Sequence, residues 1–124
     1  MANPSTVNPT ASGKEVLRRT YLDGQGESAG IILTAPTDHI CTIISMFIQE
    51  REGLTDAQFD LHILPDGGSA FMIMMNQPIS SNGTFVFNDK LVMTGGDVLK
   101  IEPHSAGGVL TMDIWCSYID QDWS

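Results

Sequence analysis

The chain has 124 residues and carries six basic against fifteen acidic side chains, a formal net charge of −9. This length corresponds to one domain with a core of its own. The acidic balance argues against a nucleic-acid partner, because phosphate binding draws its affinity from Lys and Arg. No stretch approaches the about 20 apolar residues that span a bilayer. Residues 1–13 also lack the basic start and apolar centre of a signal peptide. We therefore expect neither a nucleic-acid nor a membrane partner.

The first segment differs in composition from the rest of the chain. Residues 1–13 read MANPSTVNPTASG and contain no charged side chain. Such a segment buries too little apolar area to offset the entropy lost when it is ordered. We therefore expect a flexible, extended N-terminal arm, followed by a single domain over residues 14–124. The arm residues that we expect to contact a partner are Asn3, Pro4, Val7 and Pro9.

Short apolar and β-branched segments separated by turn residues predict strands along the remainder of the chain. Residues 65–68, Pro-Asp-Gly-Gly, predict the turn of a hairpin, because Pro presets φ and glycine accepts a positive φ. Residues 23–26, Asp-Gly-Gln-Gly, form a second turn cluster, which we expect to close the first strand. The expected strands cover residues 15–22, 30–33, 38–49, 59–63, 70–75, 84–87, 91–93, 97–101 and 110–118.

The strongest apolar segment covers residues 38–49. Its β-branched and aromatic side chains line both faces, which suits a strand that is covered on both sides. A buried helix is the competing interpretation, because period alone does not separate the two for a short apolar run. The density of Thr and Ile favours the strand.

The last segment alternates most regularly. Every second residue from Leu110 to Tyr118 is apolar, which marks one buried face, while Trp115 points the opposite way. Eight or nine short strands with regularly spaced turn signals are typical of a sandwich or a jelly roll. The predicted fold class is all-β: an antiparallel, jelly-roll-like β-sandwich with an extended N-terminal arm.

The sulfur-containing side chains each leave two interpretations open. Cys41 and Cys116 lie outside any CxxC spacing and are interpreted as reduced core thiols, with one cross-strand disulfide as the alternative. The Met-rich segment Phe71–Met75 is interpreted as core filling, with an adaptable binding surface as the alternative.

No arrangement of side chains in the sequence indicates catalysis or metal binding. His39, His62 and His104 lie in three separate segments, whereas a metal needs several donors that converge on one point. No serine sits in a GxSxG turn, and neither cysteine has a nearby histidine to act as its base. We therefore expect no enzyme, no catalytic residue, no metal site and no cofactor.

Two features near the ends of the expected domain predict partner contacts. Arg18 and Arg19 follow the arm and are expected to hold an acidic patch on a partner, with a local strand-edge role as the alternative. Trp123 carries an indole that buries about 200 Å² when it is covered. It either packs on its own sandwich or docks on a neighbouring subunit, where Trp is a favoured anchor.

Four segments carry a resemblance to a known group of proteins: EVLRRTY, HICTIISMFI, TFVFNDKLVMTGGDVLKI and VLTMDIWCSYIDQDW. The chain resembles small virion structural proteins of tailed bacteriophages, which are β-sandwich accessory proteins attached to the capsid or to the neck and tail. In such proteins a central strand leads into an L-x-x-G-D-x-L step, matched here, with an insertion, by Leu91–Leu99. The resemblance covers most of residues 14–123 and includes no catalytic signature.

The resemblance implies a virion protein that is made in the host cytoplasm and has no enzymatic activity. It favours capsid decoration, in which a cement protein stabilises the head and uses an extended arm to bridge neighbours. The implied partners are copies of the same chain, as a homotrimer or another homo-oligomer, and major capsid or neck and tail proteins. The alternatives are a neck, tail or fibre attachment protein, and a carbohydrate- or receptor-binding β-sandwich with Trp115 stacked on a sugar.

Overall fold

A computed structural model describes residues 15–107 and 109–123 of the chain. These residues form nine β-strands and no helix, so none of their segments is a helix able to cross a membrane. The strands are β1 (Glu15–Gln25), β2 (Gly30–Thr34), β3 (His39–Glu50), β4 (Gln58–Leu64), β5 (Phe71–Pro78), β6 (Thr84–Phe87), β7 (Leu91–Thr94), β8 (Val98–His104) and β9 (Met112–Asp122).

The strands form two antiparallel sheets that pack face to face. The five-stranded sheet has the order β1-β9-β3, and both β6 and β7 pair with the far edge of β3. The four-stranded sheet has the order β2-β8-β4-β5. Apart from the hairpin β4–β5, successive strand positions alternate between the sheets in the way that defines an eight-stranded jelly roll, with one position divided between β6 and β7. This arrangement confirms the predicted antiparallel β-sandwich.

The core lies between the sheets and follows the alternation that the last segment predicts. Met112, Ile114 and Cys116 of β9 are buried. They face a layer of the four-stranded sheet that includes Phe59 and Leu61, which are also fully buried. Each large apolar side chain placed there contributes about 1.5–3 kcal/mol relative to exposure. The predicted inward face of the last strand is therefore confirmed.

Strand β3 confirms one prediction and corrects another. It pairs with β9 along its whole length, from His39 to Glu50, which excludes the buried helix. The expected cover on both faces is wrong. Ile43 and Ile48 are buried against the other sheet, whereas Phe47 points outward and is exposed, because no described segment packs on the outer side of this sheet.

The turn expected at residues 23–26 is also corrected, because β1 continues to Gln25. Gly24 has a φ of 77°, and the register between β1 and β9 shifts between Leu22 and Gln25. The glycine therefore forms a β-bulge instead of a turn, since a left-handed residue inserted in a ladder bends the strand without ending it. The backbone N–H of Gly24 donates to Asp113 Oδ1 at 2.8 Å, which fixes the bulge to β9.

The predicted hairpin turn is confirmed. The Gly68 N–H donates to the Pro65 carbonyl at 2.9 Å, and Gly67 has a φ of 70°. The turn joins β4 to β5, which lies at the edge of the four-stranded sheet. Both cysteines are free and buried, in agreement with core thiols.

Core filling by the Met-rich segment is wrong for much of its length. Phe71, Met72 and Met75 are exposed, while Ile73 and Met74 pack partly against the core. The reason is topological: β5 pairs only with β4 among the described strands, so one side of it faces solvent.

Candidate interaction surface

The outward side of the five-stranded sheet carries a continuous apolar row. The register places Tyr21 beside Trp115, Trp115 beside Phe47, and Phe47 beside Val86, so the row crosses β1, β9, β3 and β6. The exposed fractions of these residues are 52%, 44%, 46% and 45% for Tyr21, Trp115, Phe47 and Val86. Directly opposed residues in a sheet are in contact distance, so the four side chains form one surface.

A second apolar row lies further along the same strands. Leu17 pairs with Ile119, Ile119 with Thr42, and Thr42 with Val92. Leu17 and Val92 are 41% and 60% exposed. We call the outward side of this sheet the outer face; its large exposed apolar side chains are Leu17, Tyr21, Phe47, Val86, Val92 and Trp115, and Arg19 lies among them.

Aromatic stacking and a cation fix one part of the outer face. The rings of Tyr21 and Trp115 stack with centroids 5.7 Å apart and an interplanar angle of 16°. The Arg19 guanidinium carbon lies 5.4 Å from the Tyr21 centroid and 5.1 Å from that of Trp115. Such cation–π contacts hold an arginine over aromatic rings without neutralising its charge. Arg19 forms no ion pair with any described residue.

A shallow groove of about 460 Å³ runs along one side of the aromatic row. Its lining combines aromatic and polar side chains, which include Tyr21, Asp23, Phe47, Gln49, Asp113 and Trp115. The two acids at its margin share a cation: Arg51 Nη1 lies 3.0 Å from Asp23 Oδ1 and 2.9 Å from Asp113 Oδ1. The groove is therefore apolar on one side and acidic on the other.

The structure places Arg18 on the opposite side of β1 from Arg19. Arg18 Nε lies 2.9 Å from Asp120 Oδ2, and Asp120 Oδ1 lies 2.7 Å from His39 Nδ1. Asp120 is 6% exposed, so its charge is held inside the fold by these two partners. The Arg18 side chain remains partly exposed while it contacts Asp120.

From the sequence we expect no histidine near either cysteine to act as its base, but the structure brings His39 near Cys41. His39 and Cys41 contact the same carboxylate oxygen, with Cys41 Sγ 3.9 Å from Asp120 Oδ1. Burial, reinforced by the negative charge of Asp120, raises the pKa of the Cys41 thiol to about 11. A thiol with such a pKa remains protonated at neutral pH, so this group does not form the thiolate that nucleophilic catalysis needs.

Trp123 lies at the same end of the sheet as Arg18. Its backbone N–H donates to the Asp38 carbonyl at 2.8 Å, while its side chain remains 62% exposed. The indole borders a cavity of about 450 Å³ that Asp38, His39 and Asp66 also line. The main chain of Trp123 is thus fixed to its own fold, and its ring is left open to contact.

The arm residues Asn3, Pro4, Val7 and Pro9 lie outside the described residues. Within residues 15–107 and 109–123, no three His, Cys, Asp or Glu side chains converge as a metal site. Sequence reasoning missed most of the outer face. The outward direction of Trp115 was visible in the alternation of β9, but the neighbours Tyr21 and Phe47 become apparent only from the strand order.

No family model and no curated protein matches the sequence. The fold is similar to that of VP2 of infectious bursal disease virus. The VP2 subviral particle aligns with a TM-score of 0.55 and 10% identity, over 98% of this chain and 38% of that chain. VP2 of the Gt strain aligns with a TM-score of 0.54 and 10% identity, over 98% of this chain and 36% of that chain.

A third comparison concerns a pentameric capsid protein isolated from metagenomic phage sequences. It aligns with a TM-score of 0.43 and 14% identity, over 83% of this chain and 60% of that chain, which is too weak to carry an argument. The chain spans 38% of the VP2 chain with which it aligns. At these identities the likeness concerns the fold alone, and it defines a viral capsid-like β-sandwich.

Proposed function

We propose that the protein is a virion structural protein: a capsid decoration (cement) protein that binds and stabilises the head of a tailed bacteriophage. The observation that carries this proposal is the outer face. Six large apolar side chains are exposed together on one side of one sheet. Contiguous apolar surface of this kind marks a protein contact when it occurs on an otherwise charged molecule.

The composition of the outer face supports a protein contact. The centre of a protein interface is poor in charge and rich in aromatic residues and Arg. The outer face has Tyr21, Phe47 and Trp115 at its centre, with Arg19 above two of the rings. The four-stranded sheet differs, because its central strands carry charged residues in register on the outward side, with Asp60 beside Glu102, while exposed apolar side chains lie on β2 and the edge strand β5. The charged centre of this sheet suits the solvent-facing surface of a particle.

The end of the sandwich that holds Arg18 and Trp123 is the proposed attachment end. Glu15, which begins β1, pairs with Gln121, and His39 pairs with Asp122, so the start of β1 and the end of β9 lie together. The arm that we propose for residues 1–13 therefore leaves a domain over residues 14–124 beside Trp123. An uncharged arm can add main-chain hydrogen bonds to the sheet edge of a capsid subunit, while the partly exposed Arg18 at this end faces its acids.

Deletion of residues 1–13 tests this proposal with heads of the phage whose genome encodes the chain, prepared without it. We expect the full chain to sediment with the heads and the truncated chain to bind at least about tenfold more weakly, with its melting temperature unchanged. Added salt weakens the contribution of Arg18 to head binding. A Lys100→Ala variant, which changes a residue of the four-stranded sheet away from the attachment end, is the matched control and binds normally.

Binding to heads that is equally tight without the arm contradicts the role of the arm. Absence of the protein from particles, with no binding to heads or tails, contradicts the virion function itself. Binding to tails or necks alone, seen by immunogold microscopy, favours the attachment protein over the decoration protein.

A carbohydrate-binding module is a second candidate, and one observation favours it. The groove beside the aromatic row combines ring surfaces with Gln49 and Asp113, side chains that hydrogen-bond sugar hydroxyls. A glycan array separates the two functions: a defined saccharide that is lost with Trp115→Ala favours the module, and an empty array favours the structural protein.

A further inference from the structure

We propose that the outer face binds the outer face of a second copy of this chain, and that a twofold axis runs along the row Tyr21–Trp115–Phe47–Val86. This inference rests on the proposed function only in treating the outer face as a protein contact. It names a second copy of this chain as the protein that covers it. The docking of heads at the attachment end uses a different part of the molecule. The twofold axis gives a closed dimer, because the same surface serves on both copies.

The size of the overlapping surface suits a reversible dimer. Four strands spaced about 4.8 Å apart give a width of roughly 19 Å. The axis passes through Trp115, three residues from the start of β9, so the two copies overlap over Met112–Tyr118, a length of roughly 24 Å at about 3.4 Å per residue. The resulting planar area of about 450 Å² per copy falls among transient interfaces, which bury less than about 1,200 Å² in total.

Net charge limits where two copies can meet. Each chain carries −9, so contact between acidic surfaces is repulsive. The outer face is a large apolar surface of the described residues, and the charges beside its aromatic row are of both signs, with Arg19 on one side and Asp23 on the other. Two copies can therefore approach through this face without like charges meeting.

The spacing of charges along β1 matches the twofold axis. Arg19 lies two residues before Tyr21 and Asp23 lies two residues after it, on the same outward side. Rotation about the aromatic row exchanges these two positions. Arg19 of one copy then lies over Asp23 of the other, and the same pair forms again on the other side of the axis. Arg19, which has no acidic partner among the described residues of its own chain, gains one from the second copy.

Sedimentation velocity of the full chain tests the inference from low to high micromolar concentration. We expect a dimer. Trp115→Ser and Phe47→Ser raise the dimer Kd at least about thirtyfold, as expected for aromatic anchors at an interface centre. The matched control is Ile31→Ser, which removes a residue of 53% exposure from the four-stranded sheet and leaves the Kd unchanged. Melting temperatures confirm that each variant is folded.

Charge reversal tests the twofold geometry itself. Arg19→Glu alone places acids opposite acids, and Asp23→Arg alone places cations opposite cations, so each variant is monomeric. A mixture of the two variants forms a heterodimer, because both cross-copy pairs are then of opposite sign. Failure of the mixture to associate overturns the inference.

The outcomes also separate this inference from the proposed function. A chain that remains monomeric, or whose assembly is insensitive to Trp115→Ser, overturns the second-copy interface even if it sediments with heads. A dimer that dissociates on Trp115→Ser but binds no part of a virion supports the interface and contradicts the proposed function.

Discussion

Glu50 is a fully buried acid whose position is explained by main-chain donors. Its carboxylate accepts hydrogen bonds from the backbone N–H groups of Glu52 at 2.7 Å, Gly53 at 2.8 Å and Asn82 at 2.9 Å. Burial by itself raises the pKa of this carboxyl, but the N–H donors of the surrounding loops outweigh it and the pKa of Glu50 is lowered. The side chain thus ties the loop after β3 to the loop before β6 in its ionised form.

Substitution Glu50→Gln is expected to lower the free energy of unfolding at neutral pH by about 1–3 kcal/mol, because charged acceptors are replaced by a neutral amide. The lowered pKa means that Glu50 stabilises the fold above its unfolded pKa of about 4.3. This contribution is lost as pH falls through the folded pKa. Urea titrations from pH 7 to pH 3 measure the difference, which we expect to shrink on acidification.

The control for this measurement is Glu102→Gln, an exposed acid on the four-stranded sheet. Its unfolding free energy is expected to follow that of the unsubstituted chain. A difference in unfolding free energy between Glu50→Gln and the unsubstituted chain that stays constant at all pH values contradicts the role of the ionised carboxylate.

At the scale of single elements, the bulge in β1 shows how one residue keeps a strand in its sheet. Gly24 has a φ of 77°, and a Cβ at this position meets Arg51 Nη1 at 3.3 Å and Thr111 Cγ2 at 3.6 Å. The bulge brings Asp23 to the groove, where it shares Arg51 with Asp113. The left-handed conformation is therefore required for the acidic margin of the outer face.

Substitution Gly24→Ala is expected to cost about 1–2 kcal/mol of unfolding free energy, because an L-residue is strained in the left-handed region. Urea denaturation measures this cost. Gly26→Ala is the matched control, since a Cβ there meets nothing within 4 Å and the backbone is not left-handed. Equal stability of the two variants shows that the bulge tolerates a side chain and contradicts the argument.

The elements also show where sequence patterns carry information. The alternation from Leu110 to Tyr118 predicted the buried face of β9, because period two is a property of one strand by itself. The Met-rich β5 was misjudged, because apolar content does not reveal whether a strand is central or at an edge. The turn expected at Asp23 is a bulge for a similar reason. A glycine with a positive φ occurs in turns and in bulges, and the pairing with the partner strand determines which of the two forms.

At the scale of the whole molecule, stability comes from apolar packing between the sheets. The fold is expected to need no metal, since no cluster of ligands converges within the described residues. Addition of EDTA is therefore expected to leave the melting temperature unchanged within about 1 °C, whereas loss of a bound ion lowers it in proportion to ln(1 + [L]/Kd). A fall of many degrees, reversed by Ca²⁺ or Zn²⁺, contradicts this expectation.

The sequence by itself determined the strand segments, the hairpin turn at Pro65–Gly68 and the all-β class, because alternation and turn chemistry are local properties. Only the tertiary structure decided the outer face. Tyr21, Phe47 and Trp115 lie far apart in the chain and become neighbours through the order β1-β9-β3. That strand order forms when the two sheets pack around one shared core. The same long-range pairing brings Arg18 and His39 to Asp120, a contact that no spacing in the sequence contains.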